Sequence, residues 1–449
     1  MSTRSRIQSA LATPPMPHQV KGVRFLNRLG GRALICDEQG LGKTYQVIAY
    51  LKLHPEVRPA VVVCPATLKY NWQREFARHA NLKADVAEGR EPFELAGNIW
   101  ILNYDILPYW LARLLAHHPA LLCVDEFQKC GNHKAKRTVA AVALAGQCNQ
   151  VIGLSGTPIS NGPVEFFPML HMVAPTLFPA FFPYAFKFCA PRQGFRGHWD
   201  FRGASNTEEL HSLVSSFMIR RMKADVLTDL PPVTKTFIPL KVGLHEYNIA
   251  KQHFIQWLGE RRGREAVKRA RGAESLVRLG QLRMLAGKAK LPAVVEWLKD
   301  WSGGKLVVFG IHKTAVVRYL ADQFSGCPVV TGGMTPQQKE DAISAFQNGD
   351  APMIFGNLKA LGVGHTLTAG QAAAHVEFSW VPNDHEQGDA RCHRIGSTGR
   401  IESFYFVALG TTDEYLMELI ETKRDVIGQV VDGLPARVHE MVIEKLLRS

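Results

Sequence analysis

Short apolar runs alternate with amphipathic stretches along the first part of the chain. Arg32 to Cys36, Ala60 to Cys64, Ile99 to Asn103, Leu121 to Asp125 and Val151 to Leu154 each end at a turn-like or polar cluster. Parallel strands buried on both faces read this way, as continuous apolar runs rather than alternating ones, so the pattern predicts an α/β lobe. The rhythm returns at Lys305 to Gly310, Pro328 to Thr331, Met353 to Gly356, His375 to Ser379 and Glu402 to Ala408, which predicts a second lobe of similar size. Between them lie an aromatic and Pro-rich segment from Pro163 to Gly203 and a basic, largely helical stretch from Leu244 to Lys290, read as insertions and a connector. The expected boundaries are a first lobe over 1–237 with a helical insertion from about 165, a connector over 238–290, a second lobe over 291–430 and a helical tail over 431–449.

With 449 residues, 46% of them apolar, the chain has material for two or three domains with large cores. Its 53 Lys and Arg against 40 Asp and Glu give a formal charge of +13, which favours a polyanionic partner such as nucleic acid, although many basic surfaces only solubilise. The run Arg261, Arg262, Arg264, Lys268, Arg269, Arg271 and Arg278 could lie along nucleic acid, but a solvated helix face is the commoner origin of such a run. Eight cysteines without a Cys-x-x-Cys pair give no zinc ribbon and no small disulfide scaffold, and the default is reduced, intracellular thiols. The first residues lack an apolar core of signal-peptide length, and the most apolar later run, 106 to 124, is broken by Arg113, His117 and His118. Neither a membrane span nor secretion is expected.

The strongest local signal is Gly40-Leu41-Gly42-Lys43-Thr44, between the strand-like ALICDE and the helical QVIAYLKL. Strand, glycine loop and helix make a phosphate cradle: backbone N–H groups approach the phosphates, Lys43 reaches the β and γ phosphates and the Thr44 hydroxyl can ligate Mg2+. Asp37 stands where the usual motif has its first glycine. Downstream, Leu121 to Val124 delivers Asp125 and Glu126 at a strand end, with Asp125 expected in the magnesium shell and Glu126 to orient and deprotonate the attacking water. Gln19, just before a helix beginning near Val20, could read an adenine edge or be an ordinary helix-start residue. Gln387 to Gly396 places Arg391 and Arg394 three apart, hence on one helical face, where they could act as arginine fingers or simply form a basic surface helix.

The order of the blocks MPHQVKGV, DEQGLGKT, VVVCPATLKYNWQREF, ILNYD, VDEFQ, GLSGTPISNGPVEF, TGGMTPQQKEDAISAF, NLKALGVGHTLTAG and QGDARCHRIGS resembles the superfamily-two helicase motifs in their Swi/Snf-type form. Within that family, the stretch from Pro168 to Leu230 looks most like the HARP-type annealing helicases and fork remodellers, and the tail GTTDEYLMELIETKRDVI looks like the family's closing brace helix. The resemblance implies two tandem RecA-like lobes, α/β P-loop NTPase units with parallel sheets and helical insertions. It implies ATP and Mg2+ as cofactors, with Lys43, Thr44, Asp125, Glu126, Gln387, Arg391 and Arg394 at the ATP site between the lobes and Gln19 at the base. It further implies that Ser155, Gly156 and Thr157 link that site to the DNA groove, and that Thr67, Lys69, Asn103, Gly332, Gly333 and Thr366 lie near the phosphodiester backbone.

Three departures stand out: Gln128 for the usual His, Asn357 for the usual Ser or Thr, and Ser397 for the usual final Gln. None removes a phosphate, metal or finger residue, so ATP hydrolysis is expected to survive and the coupling to DNA is what they touch. The motor motifs fill nearly the whole chain, so accessory chromatin-reading, zinc or HARP-like segments are not expected, and nucleosome remodelling is disfavoured. The expected activity is ATP-driven translocation on DNA, duplex or forked, with fork regression, branch migration or strand annealing as output and a replication or repair protein as a further partner. An intracellular place follows, cytoplasmic in a bacterial or viral source and nuclear in a eukaryote. Strand-separating DNA helicase, RNA-stimulated ATPase and catalytically silent DNA-binding scaffold are the alternatives.

Overall fold

The computed structural model describes residues 2–159, 162–193, 199–201, 203–227, 233–259, 273–362, 367–380, 382–393 and 401–418. The chain divides into two compact units at 228/229, upstream of the expected boundary at 237. In the first unit β1 (Arg32–Ile35), β2 (Ala60–Cys64), β3 (Asp85–Val86), β4 (Ile99–Asn103), β5 (Leu121–Asp125), β6 (Gln150–Leu154) and, beyond the short antiparallel pair β7 (Arg192–Gln193) and β8 (Trp199–Asp200), β9 (Met218–Ile219) supply the strands. The seven-stranded sheet is parallel throughout, in the order β3-β4-β2-β5-β6-β1-β9.

Each strand residue is sorted to one face of this sheet by the two-residue strand period. Val61 and Val63 of β2 enter one core with Trp100, Trp110 and Leu122, while Ala60, Val62 and Cys64 enter the other with Trp72, Phe76 and Val47. The β-branched Val run tolerates this two-sided burial, and helices cover both faces. Parallel connections bring the carboxyl ends of β1, β5, β6 and β2 to one edge, where open α/β sheets carry their ligand-binding loops.

The second unit repeats the plan with β10 (Thr234–Leu240), β11 (Leu306–Gly310), β12 (Val329–Val330), β13 (Met353–Asn357), β14 (Ala372–His375) and β15 (Glu402–Ala408), in the parallel order β10-β15-β14-β11-β13-β12. Two particulars differ from expectation. The strand expected at His375 to Ser379 lies at Ala372–His375, because three alanines of low strand propensity fill the buried positions and the more apolar-looking residues after them form the following loop. β10 runs through 237 and pairs along its length with β15, so the segment expected to end the first lobe belongs to the second sheet. Its TKTFIPL pattern is only partly buried, which hides it from a search for apolar runs. The expected connector contains the helices His245–Gly259 and Ala273–Lys299, the second running past the expected boundary at 290.

All eight cysteines are free thiols. Among the described residues no helix is long and apolar enough to cross a membrane. The cations Arg261 to Arg271 and the tail over 431–449 lie outside the described residues. Arg278 is described, pairs with Glu274 at 3.0 Å and stands 4.7 Å over the Trp257 ring, as a cation on a solvated helix face does.

Candidate nucleotide site

In the first unit, β1 runs into the buried Cys36 and Asp37, and the chain then turns through Gly40 and Gly42 at φ 90° and 75°. These are left-handed conformations that suit glycine, and a Cβ on Gly42 would stand 2.4 Å from Gln19 Nε2. The helix Lys43–Leu53 starts there with no side chain capping it, which leaves its first N–H groups available to an anion. Lys43 Nζ donates to the Asp37 carbonyl at 2.8 Å. Burial lowers the Lys43 pKa, against the opposing pull of Glu126, Asp37 and Asp125.

The structure accounts for the aspartate in the first glycine position. Asp37 accepts from Arg221 Nε at 2.8 Å, from Arg221 Nη2 and from Gln46 Nε2 at 2.9 Å. Arg221 also donates to Gln46 Oε1 at 2.9 Å and to the His18 carbonyl. Lys223, two residues on, gives its backbone N–H to Glu38 Oε2 at 2.7 Å. The segment after β9 therefore holds the phosphate loop in place. Gln19 spans the other side, accepting from Met16 N at 2.9 Å and donating to the Leu41 carbonyl at 3.5 Å, while His18 Nε2 meets the same carbonyl at 2.9 Å.

β5 delivers the two carboxylates. Asp125 Oδ2 accepts from Trp72 Nε1 at 2.8 Å, and its backbone carbonyl accepts from Tyr104 at 2.5 Å. Burial first, and Glu126 second, push the Asp125 carboxyl up to about 7. Glu126 turns at φ 54°, and its Oε2 accepts from Gln128 Nε2 at 2.6 Å. Gln128 Oε1 in turn accepts from Ser155 Oγ at 2.8 Å, and Ser155 Oγ accepts from Thr157 N at 2.9 Å. An amide is both donor and acceptor, so Gln128 joins a carboxylate to a hydroxyl without titrating. These bonds connect the Glu126 carboxylate to the Ser155, Gly156 and Thr157 turn. Gly156 is needed there: a Cβ on it would stand 2.6 Å from Gln39 Cγ.

These residues fit a magnesium nucleotide. Both amide atoms of Gln39 and the Nδ1 of His18 are buried with no hydrogen-bond partner, an expense that a bound polar group would relieve. Asp125 and Thr44 offer the hard oxygen donors that Mg2+ takes, and a cation beside the Asp125–Glu126 pair would offset both the burial and the neighbouring charge that raise the Asp125 pKa.

In the second unit the helix Pro382–Cys392 carries Gln387 and Arg391, and Asp389 anchors it. Asp389 accepts from Ser403 Oγ at 2.7 Å and Tyr405 at 3.1 Å and lies 2.8 Å from His375 Nε2, while His385 Nδ1 lies 3.0 Å from His375 Nδ1. Burial raises the Asp389 pKa, but His375, Lys235 and the Ser403 hydroxyl outweigh it and hold the carboxyl at about 2; burial drives His385 well below the usual histidine range. Gln387 is half-buried, whereas Arg391 is buried and donates from Nε to the Gly362 carbonyl at 2.7 Å. The helix ends at Cys392, and Arg394, Ser397 and Thr366 lie outside the described residues.

Of the residues expected near a phosphodiester backbone, Thr67 sits in the turn Ala66–Leu68 after β2 and Asn103 is buried at the end of β4, in register with Cys64. Lys69 is not an open cation: its Nζ donates to the Ala87 carbonyl at 2.9 Å, and burial lowers its pKa. Gly332 and Gly333 follow β12, with Gly333 at φ 90° and the Gly332 carbonyl accepting from Lys313 Nζ at 2.9 Å. Arg221, Lys223 and Trp72 lie within stretches that carry the family resemblance, but the sequence assigned none of them a role. A signal for Arg221 was available in Asp37 itself, since an acid at the buried end of a strand demands a cation.

A family model described as SNF2-related domain matches residues 18–285, and one described as helicase conserved C-terminal domain matches residues 289–396. The chain is 29% identical over 443 residues to the SWI/SNF-related matrix-associated actin-dependent regulator of chromatin subfamily A-like protein 1 of Xenopus tropicalis, covering 95% of this chain and 46% of that protein. It is 27% identical over 445 residues to the DNA annealing helicase and endonuclease ZRANB3 of Mus musculus, covering 94% of this chain and 41% of that protein. The chain thus spans about half the length of the curated relatives it matches. Among solved structures, the Sulfolobus solfataricus SWI2/SNF2 ATPase core in complex with dsDNA aligns over 97% of each chain at 23% identity and a TM-score of 0.45.

Proposed function

The chain belongs to the SNF2-related family, and from that premise we propose that it is an ATP-dependent translocase on double-stranded DNA that couples hydrolysis to fork regression, branch migration or strand annealing in replication and repair. The observation that supports this reading is the line of hydrogen bonds from Glu126 through Gln128 and Ser155 to Thr157, which gives the carboxylate assigned to hydrolysis a mechanical connection to a second loop.

The loop N–H groups, Lys43 and Thr44 bind and orient the phosphates, and Gln19 meets the base. Magnesium, when bound, neutralises phosphate charge, and Asp125 and Thr44 are the residues that hold it. Glu126 orients the attacking water and accepts its proton, with Gln128 fixing the carboxylate rotamer. Gln387, Arg391 and Arg394 take the role of stabilising the transferred phosphate from motif order. Thr67, Lys69, Asn103, Gly332, Gly333 and Thr366 are assigned to the DNA backbone on the same basis, and the buried Lys69 ammonium supports a role for it in shaping the loop.

The test is ATP hydrolysis without nucleic acid and with matched single-stranded DNA, duplex DNA, forked DNA and RNA, at one fixed moderate salt concentration. Stimulation mainly by duplex or forked DNA, abolished in Lys43→Ala and Glu126→Gln, is the expected result. Preference for RNA, or efficient strand displacement, replaces this reading by a helicase; equal activity of both variants and the intact protein removes the assigned site.

A further inference from the structure

The helix Phe181–Phe188 buries Tyr184, Ala185 and Phe188 against the first core, and an amphipathic helix in that position should turn polar groups outward. It instead turns out Phe182 and Phe186, one helical turn apart and 60% and 43% exposed. Trp199 of β8 is 45% exposed and meets Phe186 edge-on at 4.9 Å. Phe201 underlies all three, with ring centroids at 6.2 Å from Phe182, 5.4 Å from Phe186 and 6.4 Å from Trp199. The packing of ring on ring fixes their orientations and leaves little side-chain entropy to lose on binding.

Exposed cations stand in the chain segments that meet these rings. His133 stacks on Phe181 at 4.0 Å and brings with it the exposed Lys134 and Lys136 of a run that holds no acid, and Arg192 is exposed on β7, next to the Gln193 that pairs with Trp199. Acids lie nearby as well: Asp200 pairs across the strands with Arg192, Glu208 and Glu209 open the helix Thr207–Ser215 with Glu209 engaged by Lys187 at 2.5 Å, and Glu165 stands beside Gly131.

We propose that Phe182, Phe186 and Trp199 form a stacking platform for unpaired nucleobases of single-stranded DNA, with the neighbouring cations following its phosphates. The inference rests on the proposed function as a DNA motor and adds the site at which such a motor holds a strand released at a junction. Aromatic faces beside cations are the composition that binds single strands regardless of sequence, because every base has a π-face. A protein partner fits less well: the three rings expose roughly 100 Å² each, well short of the roughly 800 Å² per partner that a stable protein interface buries.

The test uses the full chain and a fluorescein-labelled oligothymidine, with a blunt duplex of equal length for comparison, read by anisotropy at one salt concentration. Phe182→Ala combined with Trp199→Ala is expected to weaken oligothymidine binding roughly tenfold or more and duplex binding far less. Phe182→Tyr combined with Trp199→Phe keeps the rings and is expected to restore single-strand binding. The melting curve of each variant reports folding. Unchanged oligothymidine affinity in the alanine variant, equal loss for single strand and duplex, or failure of the ring-keeping variant to restore binding would overturn the platform, as would loss of self-association in its place. A chain that binds oligothymidine through these rings but shows no DNA-stimulated hydrolysis would leave the platform standing and remove the motor.

Discussion

Arg221→Ala isolates the clamp on the phosphate loop. The side chain of Asp37 is fully buried and that of Arg221 is 11% exposed, so the substitution leaves a carboxylate in a dry site with the Gln46 amide as its hydrogen-bond donor and Lys43 as a nearby cation. Breaking such a pair from one side costs about 3–5 kcal/mol, because the remaining charge keeps its desolvation penalty. For a unit of roughly this size each kcal/mol moves Tm by about 2–4 °C, so the transition of the first unit should fall by about 6–20 °C in a calorimetric scan at pH 7 and fixed salt. Arg221→Lys keeps the charge but not the fork that reaches Asp37, Gln46 and the His18 carbonyl together, and it should fall between. Asp37→Asn combined with Arg221→Gln replaces the ion pair by neutral amides and should lose less than the sum of the two single changes. Nucleotide affinity should drop in parallel with Tm for the single variants, since the same clamp shapes the loop. A loss below about 1 kcal/mol for Arg221→Ala, or strict additivity in the double variant, would refute the assignment of Arg221 as the counter-charge of the loop.

Gln128→Ala should leave ATP binding intact and reduce DNA-stimulated turnover about tenfold or more, the scale of one hydrogen bond to a charged group; unchanged turnover would show that the Glu126 rotamer does not depend on it. The Asp125 carboxyl is raised above its unfolded value, so the metal-free protein loses this contribution as pH rises from about 4 to about 7, and magnesium-nucleotide binding near pH 6.5 should expel a proton. Titration calorimetry in buffers of different ionisation enthalpy reads that proton; a binding enthalpy independent of buffer, or an equal dependence in Asp125→Asn, would rule it out. In the second unit Lys290 is fully buried between Asp413 Oδ2 at 2.6 Å and the Phe406 carbonyl at 2.8 Å, so Lys290→Met should cost about 3–5 kcal/mol in chemical denaturation, much of it recovered by adding Asp413→Leu.

The two-lobe α/β plan was legible because strands buried on both faces must be apolar throughout: Val61, Val62 and Val63 feed two different cores and none can be polar. β10 and β14 were harder for the same reason in reverse. β10 is half-buried, and β14 is built of alanines that signal neither strand nor core. The placing of Lys43 and Thr44 at a helix start after a glycine turn, and of Asp125 and Glu126 at a strand end, was legible because both arrangements are local in the chain. Partners fixed by tertiary contact were not. Nothing in the spacing connects Arg221 to Asp37, 184 residues away, or Asp389 to Ser403 and Tyr405, which meet only once β15 lies beside β14.

The departures from the family pattern gain a physical meaning from their neighbours. Asp37 in a phosphate loop would be untenable as an isolated buried charge, yet the fork of Arg221 turns it into a strut between the loop and the segment after β9. Gln128 lacks a titratable ring but has the donor and acceptor needed to bridge Glu126 and Ser155, so the connection from carboxylate to turn is made with fixed protonation. Asn357 spends its Nδ2 on the Ile311 carbonyl at 2.8 Å, joining the ends of β13 and β11 where a hydroxyl would have to stretch. In each case a side chain different from the usual one is held by a hydrogen bond of its own. A chain drifting towards inactivity loses such partners first, because an unused buried polar group costs stability and returns nothing. Ser397 lies outside the described residues; that the three described departures, Asp37, Gln128 and Asn357, are each partnered argues for selection on a working site, with the usual connections remade in different chemistry.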